Sequence, residues 1–283
     1  KRITIKFAMD IKISFPDGAV REFAAPTTGM AIANDISSGL RRNAVAVKVN
    51  GALWDLTREI AADAQVEIVT RDTDEGLEVL RHDAAHIMAE AVKELFLETQ
   101  VTIGPAIEDG FYYDFAREEA FTPDDLVTIE TRMRDIVRRN ETIEREIWDR
   151  QQAIDYFKSI GEEYKAEIIT DLPETEELSI YRQGEFLDLC VGPHLPSTGI
   201  LRDGFKLTKL AGAYWRGDQN NNQLTRIYGL AFEDKSELDE FLLQREQAKK
   251  RDHRKLGVKH NLFAFSDKVG KGLPMFLPAG NLI

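Results

Sequence analysis

The chain opens on short alternating runs. Ile11-Lys12-Ile13-Ser14-Phe15 puts an apolar residue at every second position, and Pro16-Asp17-Gly18 turns the chain back, so the pattern predicts a β-hairpin. Thr28 to Leu40 switches to helical spacing. Val45-Ala46-Val47-Lys48-Val49 returns to a strand, and Asn50-Gly51 makes a second tight turn into Ala52-Leu53-Trp54-Asp55-Leu56. With a last strand at Val66 to Thr70, these elements predict a sheet folded over one helix, a β-grasp. About sixty residues is near the lower limit for an independent core.

Asp72-Thr73-Asp74-Glu75 has the acidic character of a capped helix start, and a helix is predicted from there to about Glu98. Leu77, Leu80, Ala84, Ile87, Met88, Ala91 and Leu95 fall in one stripe, and His82 and His86 lie roughly 170° from its centre, off the main core face. Val101-Thr102-Ile103, the Gly104-Pro105 turn and Asp109-Gly110 ahead of Phe111-Tyr112-Tyr113-Asp114-Phe115 read as hairpins. Thr122-Pro123-Asp124-Asp125 starts another helix, whose far end carries Arg132, Arg134, Arg138 and Arg139, read first as dipole partners and second as RNA contacts. A third helix spans about Arg150 to Ile160. Strands resume near Tyr181, Phe186 to Leu189, Phe205 to Leu210 and Arg226 to Phe232, so the second domain is α+β. A further helix opens at Ser236-Glu237-Leu238-Asp239 and ends in the basic run from Lys249 to Lys255, where dipole pairing and phosphate contact are equal readings.

Composition narrows the class. The chain has 283 residues, 43% hydrophobic and 30% charged, enough for two folded domains and too apolar for disorder. Its net charge of −12 argues against coating nucleic acid wholesale, though not against a local basic surface. A single cysteine forms no internal disulfide, which points to a reduced, cytoplasmic setting. No apolar run approaches membrane-spanning length. Lys1 to Phe7 lacks the apolar stretch and cleavage site of a secretory signal and reads as a remnant or an early start ahead of Met9.

The chemistry concentrates in one constellation. His82 and His86 stand one helical turn apart, and Cys190-Val191-Gly192-Pro193-His194 brings the only cysteine and a third histidine on a turn. These four side chains could surround a Zn²⁺ ion, although a full set of four ligands suits a structural site better than a reactive one. The same residues could instead act as acid, base and orienting groups in a hydrolysis without metal. Asp188 precedes Cys190 by two in an alternating strand, so both point the same way, and Tyr113 and a lysine could help hold a water and an oxyanion.

Longer blocks surround these residues: Arg81-His82-Asp83-Ala84-Ala85-His86-Ile87-Met88, Ile103 to Phe115, Gly192-Pro193-His194, Lys209 to Asp218 and Arg226-Ile227-Tyr228-Gly229. Over nearly its whole length the chain resembles the N-terminal region of bacterial threonyl-tRNA synthetases. The resemblance implies a ubiquitin-like TGS β-grasp domain over 1–72 and, over 73–233, an editing domain shared in outline with alanyl-tRNA synthetases. A linker helix over 234–260 and the beginning of a class II aminoacylation domain over 261–283 would follow. ATP, Mg and Zn would belong to the aminoacylation domain that lies beyond, and editing would need no cofactor. The implied partner is tRNA(Thr), above all its acylated 3′ end, with no membrane and a homodimeric full-length protein. Matched residue by residue, His82, His86, Cys190 and His194 form the family's editing set, joined by Lys165, Tyr113 and Asp188.

That resemblance implies hydrolysis of seryl-tRNA(Thr), for which a physical reason exists. Serine and threonine differ by one methyl group, a contact worth about 1–3 kcal/mol, so a synthesis site that accepts threonine also accepts some serine. A second pocket too tight for the methyl can destroy the wrong product. In the expected roles, Lys165 and His82 position or activate water, His86 and His194 shape the pocket, Asp188 holds the substrate ammonium and Cys190 sits beside the ester. Two rivals stand beside this reading, a non-catalytic RNA-binding fragment and a zinc-dependent hydrolase acting in trans.

Overall fold

The computed structural model describes residues 10–282 apart from 267, 269 and 271. The expectations attached to Lys1–Phe7 and Met9 lie outside the described residues. β1 (Asp10–Ser14) and β2 (Val20–Ala24) form the first hairpin, in which Ile11 and Ile13 turn inward while Asp10 and Lys12 face solvent. β3 (Thr27–Thr28) leads into α1 (Gly29–Ile36), capped by the Thr28 side chain, and Ser37 then caps α2 (Ser38–Asn43). Two short helices therefore stand where the pattern suggested one. β4 (Ala44–Val49) and β5 (Ala52–Asp55) make the second hairpin, β6 (Glu59–Ile60) pairs with β3, and β7 (Ala64–Thr70) closes the sheet. The strand order β2-β1-β7-β4-β5, with β1 and β7 parallel, is the expected β-grasp. Ile11, Ile13, Ile32, Val47, Leu56 and Val66 fill its core.

The next helix, α3 (Asp74–Leu95), is capped by the hydroxyl of Thr73 rather than by a carboxylate, and it stops short of Glu98. Leu80, Ala84, Ile87, Met88 and Ala91 are buried as the stripe predicted, but so are Asp83, His86 and Glu90 on other faces. The helix is enclosed nearly all round. The histidine face is thus a second buried surface, lined with polar groups.

β8 (Gln100–Val101), β9 (Ala106–Ile107) and β10 (Gly110–Ala116) follow, then α4 (Pro123–Arg139), whose Thr122 and Asp125 make a reciprocal capping box. Arg138 and Arg139 lie in the last turn of α4, where the dipole reading puts them, and all four arginines also have partners within the protein. Arg132 and Arg139 bind Glu94 of α3, Arg134 binds Glu130 and the Phe205 carbonyl, and Arg138 binds Asp135. Arg132 and Arg139 tie α4 to α3 and Arg134 ties it to the Phe205 carbonyl, while the Glu130 and Asp135 pairs lie within α4.

β11 (Ile143–Trp148), α5 (Arg150–Ser159), α6 (Glu163–Asp171), β12 (Leu178–Gln183) and β13 (Phe186–Leu189) come next, followed by β14 (Phe205–Tyr214) and β15 (Gln223–Ala231). One antiparallel sheet runs β14-β15-β10-β8, the other β11-β12-β13. β11 was not expected, because Glu144, Arg145 and Glu146 interrupt its apolar residues. As an edge strand it can carry those charges.

Residues from 236 onward form a separate compact unit. α7 (Lys235–Lys250) and α8 (His253–Lys259) replace the single linker helix expected over 234–260. The break falls at Asp252, whose carboxylate accepts from the Arg254 N–H and restarts the helix. β16 (Phe263–Phe265) then pairs with β17 (Pro274–Phe276). Among the described residues no helix is long and apolar enough to cross a membrane.

Candidate active site

All seven side chains singled out in the sequence meet in one place. α3 supplies His82 and His86, β10 supplies Tyr113, α6 supplies Lys165, β13 supplies Asp188, and the turn after β13 supplies Cys190 and His194. Six of them line a cavity of about 310 Å³ together with Ile103, Gly104, Pro105, Ser179 and Val191. His194 is the exception. It is buried behind His82 and His86, its ring centroid 4.6 and 4.4 Å from theirs, and does not itself line the cavity.

Two carboxylates organise the site. Asp188 is only 1% exposed, and its oxygens meet Lys165 Nζ at 2.5 Å, the Tyr113 hydroxyl at 2.8 Å and His86 Nδ1 at 3.2 Å. Both oxygens are engaged inside the protein, where Asp188 holds the lysine and the histidine in place, and it also lines the cavity. Asp83, fully buried, faces His194 Nδ1 at 3.2 Å and accepts from the Leu195 N–H at 3.0 Å. Lys165 itself is 3% exposed, although Glu162-Glu163-Tyr164-Lys165 reads as a surface run. Glu162 is buried too, because Lys93 pairs with it at 2.6 Å.

The remaining contacts join these two groups. Cys190 Sγ and His86 Nε2 each lie 3.2 Å from His82 Nε2. The backbone holds the turn: Ser179 Oγ donates to the Cys190 carbonyl, and the Cys190 N–H donates to the Ser179 carbonyl. Gly104 lies so close to the Tyr113 ring that a Cβ there would fall 2.1 Å from it.

Charge is distributed unevenly. Burial pushes the Cys190 thiol up, but His194, His82 and His86 together outweigh burial and hold it well below its ordinary value. Burial also works against the charged form of His194, yet Asp83 and Cys190 raise its proton affinity well above the usual histidine range. Burial keeps His86 below that range, against the pull of Cys190. Tyr113 is raised well above an ordinary phenol by burial and by Asp188, so its hydroxyl remains a donor. A lysine amine, a phenol and an imidazole thus face the cavity, with a thiol whose proton affinity is lowered beside them. Such a set can hold a polarised carbonyl and deliver a water to it.

The donor set also fits a zinc ion. The ligating atoms of His82, His86, Cys190 and His194 lie within 4.8 Å of one another. His194 Nε2 is buried without a hydrogen-bond partner, and Nδ1 of both His86 and His194 faces a carboxylate, as ligating histidines do.

Residues 11–70 match the TGS domain family, and residues 178–228 match the family described as threonyl and alanyl tRNA synthetase second additional domain. The chain is 59% identical over 257 residues to the threonine–tRNA ligase of Granulibacter bethesdensis, covering 91% of this chain and 40% of that protein. The chain is homologous to threonine–tRNA ligases. The enzyme of Parvibaculum lavamentivorans is 56% identical over 270 residues, 95% of this chain and 41% of its own length. That of Rickettsia akari is 56% identical over 259 residues, 92% of this chain and 41% of its own. The chain therefore spans about two fifths of the length of these ligases.

Within this homologue of threonine–tRNA ligases, the second additional domain match holds Asp188, Cys190 and His194, while His82, His86, Tyr113 and Lys165 lie outside it. Sequence reasoning missed Asp83, which adjoins His82 and could have been suspected as an orienting carboxylate.

Proposed function

We propose that this chain hydrolyses the ester of tRNA(Thr) mischarged with serine, as the proofreading part of a cytoplasmic threonine–tRNA ligase. The observation that supports it is the cavity of about 310 Å³ with Lys165, Tyr113, His82, His86 and Cys190 on its wall, roomy enough for an aminoacyl group and part of a ribose. Water attacks the ester carbonyl carbon and passes its proton to His82, while Lys165, fixed by Asp188, stabilises the developing oxyanion. As the tetrahedral centre collapses, the ribose oxygen leaves with that proton, and serine and deacylated tRNA result. The extra methyl of threonine would crowd the wall, which spares the correct product. No cofactor enters this scheme.

The rest of the ligase would add threonine to tRNA(Thr) with ATP, Mg and Zn, and would make the dimer. On this reading the β16–β17 hairpin opens that aminoacylation domain. The test is incubation with seryl-tRNA(Thr) and threonyl-tRNA(Thr): the seryl ester should be lost much faster, and His82→Ala should slow that loss with the fold intact. A retarded complex whose ester stays whole would favour RNA binding without turnover and sink the hydrolase reading.

One observation favours a second reading. The histidine and cysteine donors, with the unpartnered His194 Nε2 among them, are disposed to bind zinc. About one zinc per chain in purified protein, with hydrolysis abolished by a chelator and restored by the metal, would replace the metal-free scheme with zinc-dependent hydrolysis.

A further inference from the structure

We propose that Asp55, a residue of the β-grasp domain, is a positioning residue of the cavity in the second domain. The inference rests on the hydrolase reading above only for its kinetic consequence. Asp55 ends β5 opposite Ala46 and is 6% exposed. Its carboxylate points out of its own sheet into the neighbouring domain. Oδ1 accepts from the His194 N–H at 2.8 Å and from the Tyr181 hydroxyl at 3.1 Å, and Oδ2 accepts from the same hydroxyl at 2.9 Å.

Those bonds act on two parts of one support. Tyr181, held at its hydroxyl, lays its ring 4.1 Å from the His194 imidazole. Gly192, at φ +74°, gives the hydroxyl its room, since a Cβ there would fall 2.1 Å from that oxygen. The dipeptide His194-Leu195 is then gripped by two carboxylates from two domains, Asp55 on the first N–H and Asp83 on the second. The imidazole so fixed stands against His82 and His86. Groups that must hold a reacting ester tolerate errors of only about 0.5 Å, and a buried carboxylate that accepts from two donors, the His194 N–H and the Tyr181 hydroxyl, supplies that constraint. Docking of the β-grasp domain is therefore a condition for a correctly built cavity.

The test compares the whole chain with Asp55→Ala, Asp55→Asn and Tyr181→Phe. Seryl-tRNA(Thr) hydrolysis gives kcat and KM, and ¹⁵N spectra of the five histidine imidazoles report their environment. Asp55→Ala should lower kcat about tenfold to a hundredfold with KM nearly unchanged, and should move the His194 signals. Asp55→Asn keeps an oxygen for the His194 N–H and should restore most of kcat, while Tyr181→Phe should give a smaller loss than Asp55→Ala. The proposal is overturned if Asp55→Ala turns over like the parent with unmoved imidazole signals, or if Asp55→Asn folds and is as impaired as Asp55→Ala. Should Asp55→Ala fail to fold, Tyr181→Phe decides in its place, and unshifted His194 signals in it overturn the proposal. If the parent chain shows no hydrolysis, the hydrolase reading fails while the imidazole spectra still judge the positioning.

Discussion

Removing Lys165 should cost stability before it costs chemistry. Its ammonium lies 2.5 Å from Asp188, and the two side chains are 3% and 1% exposed. At an effective dielectric near 20 the gross attraction is about 6–7 kcal/mol, most of it spent on stripping water from both ions. Lys165→Met deletes the attraction but leaves Asp188 buried with only the Tyr113 hydroxyl and the His86 imidazole for company. Stranding one member of such a pair typically costs about 3–5 kcal/mol. For a folded unit of this size that is a fall in melting temperature of about 6–20 °C. The double variant Lys165→Met/Asp188→Leu removes both charges and should recover most of the loss. Thermal and urea unfolding followed by circular dichroism measure all four corners of the cycle. A single variant that melts like the parent, or a double variant no better than the single, would show that the pair is not coupled as its geometry requires.

Two further outcomes follow from the same site and its supporting helix. Glu90 is pushed up to about 8 by burial, which outweighs the hydrogen bond from Gln183, with Glu141 adding to the rise. A folded-state value above the ordinary 4.5 means that the folded chain keeps the proton longer, so this contribution is full below about pH 4.5 and is lost as pH climbs through about 8. Glu90→Gln should flatten the decline in urea midpoint between about pH 4.5 and 8, and an unchanged slope would refute the assignment. Gly104→Ala would place a methyl 2.1 Å from the Tyr113 ring, displacing its hydroxyl from Asp188. About 1–3 kcal/mol of overpacking and a clear loss of seryl-tRNA hydrolysis are expected, and normal turnover would show that Tyr113 is dispensable.

Local pattern carried much of this far. The two hairpin turns and the helix between them give the β-grasp, and the four-residue spacing of His82 and His86 places both on one face of α3. What pattern could not carry was burial. Lys165 sits in a charged run that looks exposed, and it is covered only because α6 packs beside β10 and β13, elements distant in sequence. The same limit explains β11, whose charges hide its alternation, and Arg132 and Arg139 of α4, whose partner Glu94 lies 38 and 45 residues away. Asp55 is the extreme case. Its partners Tyr181 and His194 lie 126 and 139 residues downstream, a separation at which no spacing rule operates. Family resemblance supplied the seven site residues together, yet not the contacts of Asp188 with Lys165, Tyr113 and His86, which only the hydrogen-bond geometry shows.

Because α3 is enclosed on nearly every side, it joins the cores of the chain's first two folds. Leu80, Ala84 and Met88 share one apolar cluster with Val45, Ala46 and Val69 of the β-grasp sheet and with Phe111 and Phe115 of the next sheet. Lifting the first sheet away would wet that cluster along the very helix that bears His82 and His86. The two folds should consequently melt in concert, with amide protons in β4 and α3 exchanging with solvent through the same global opening rather than through separate local ones.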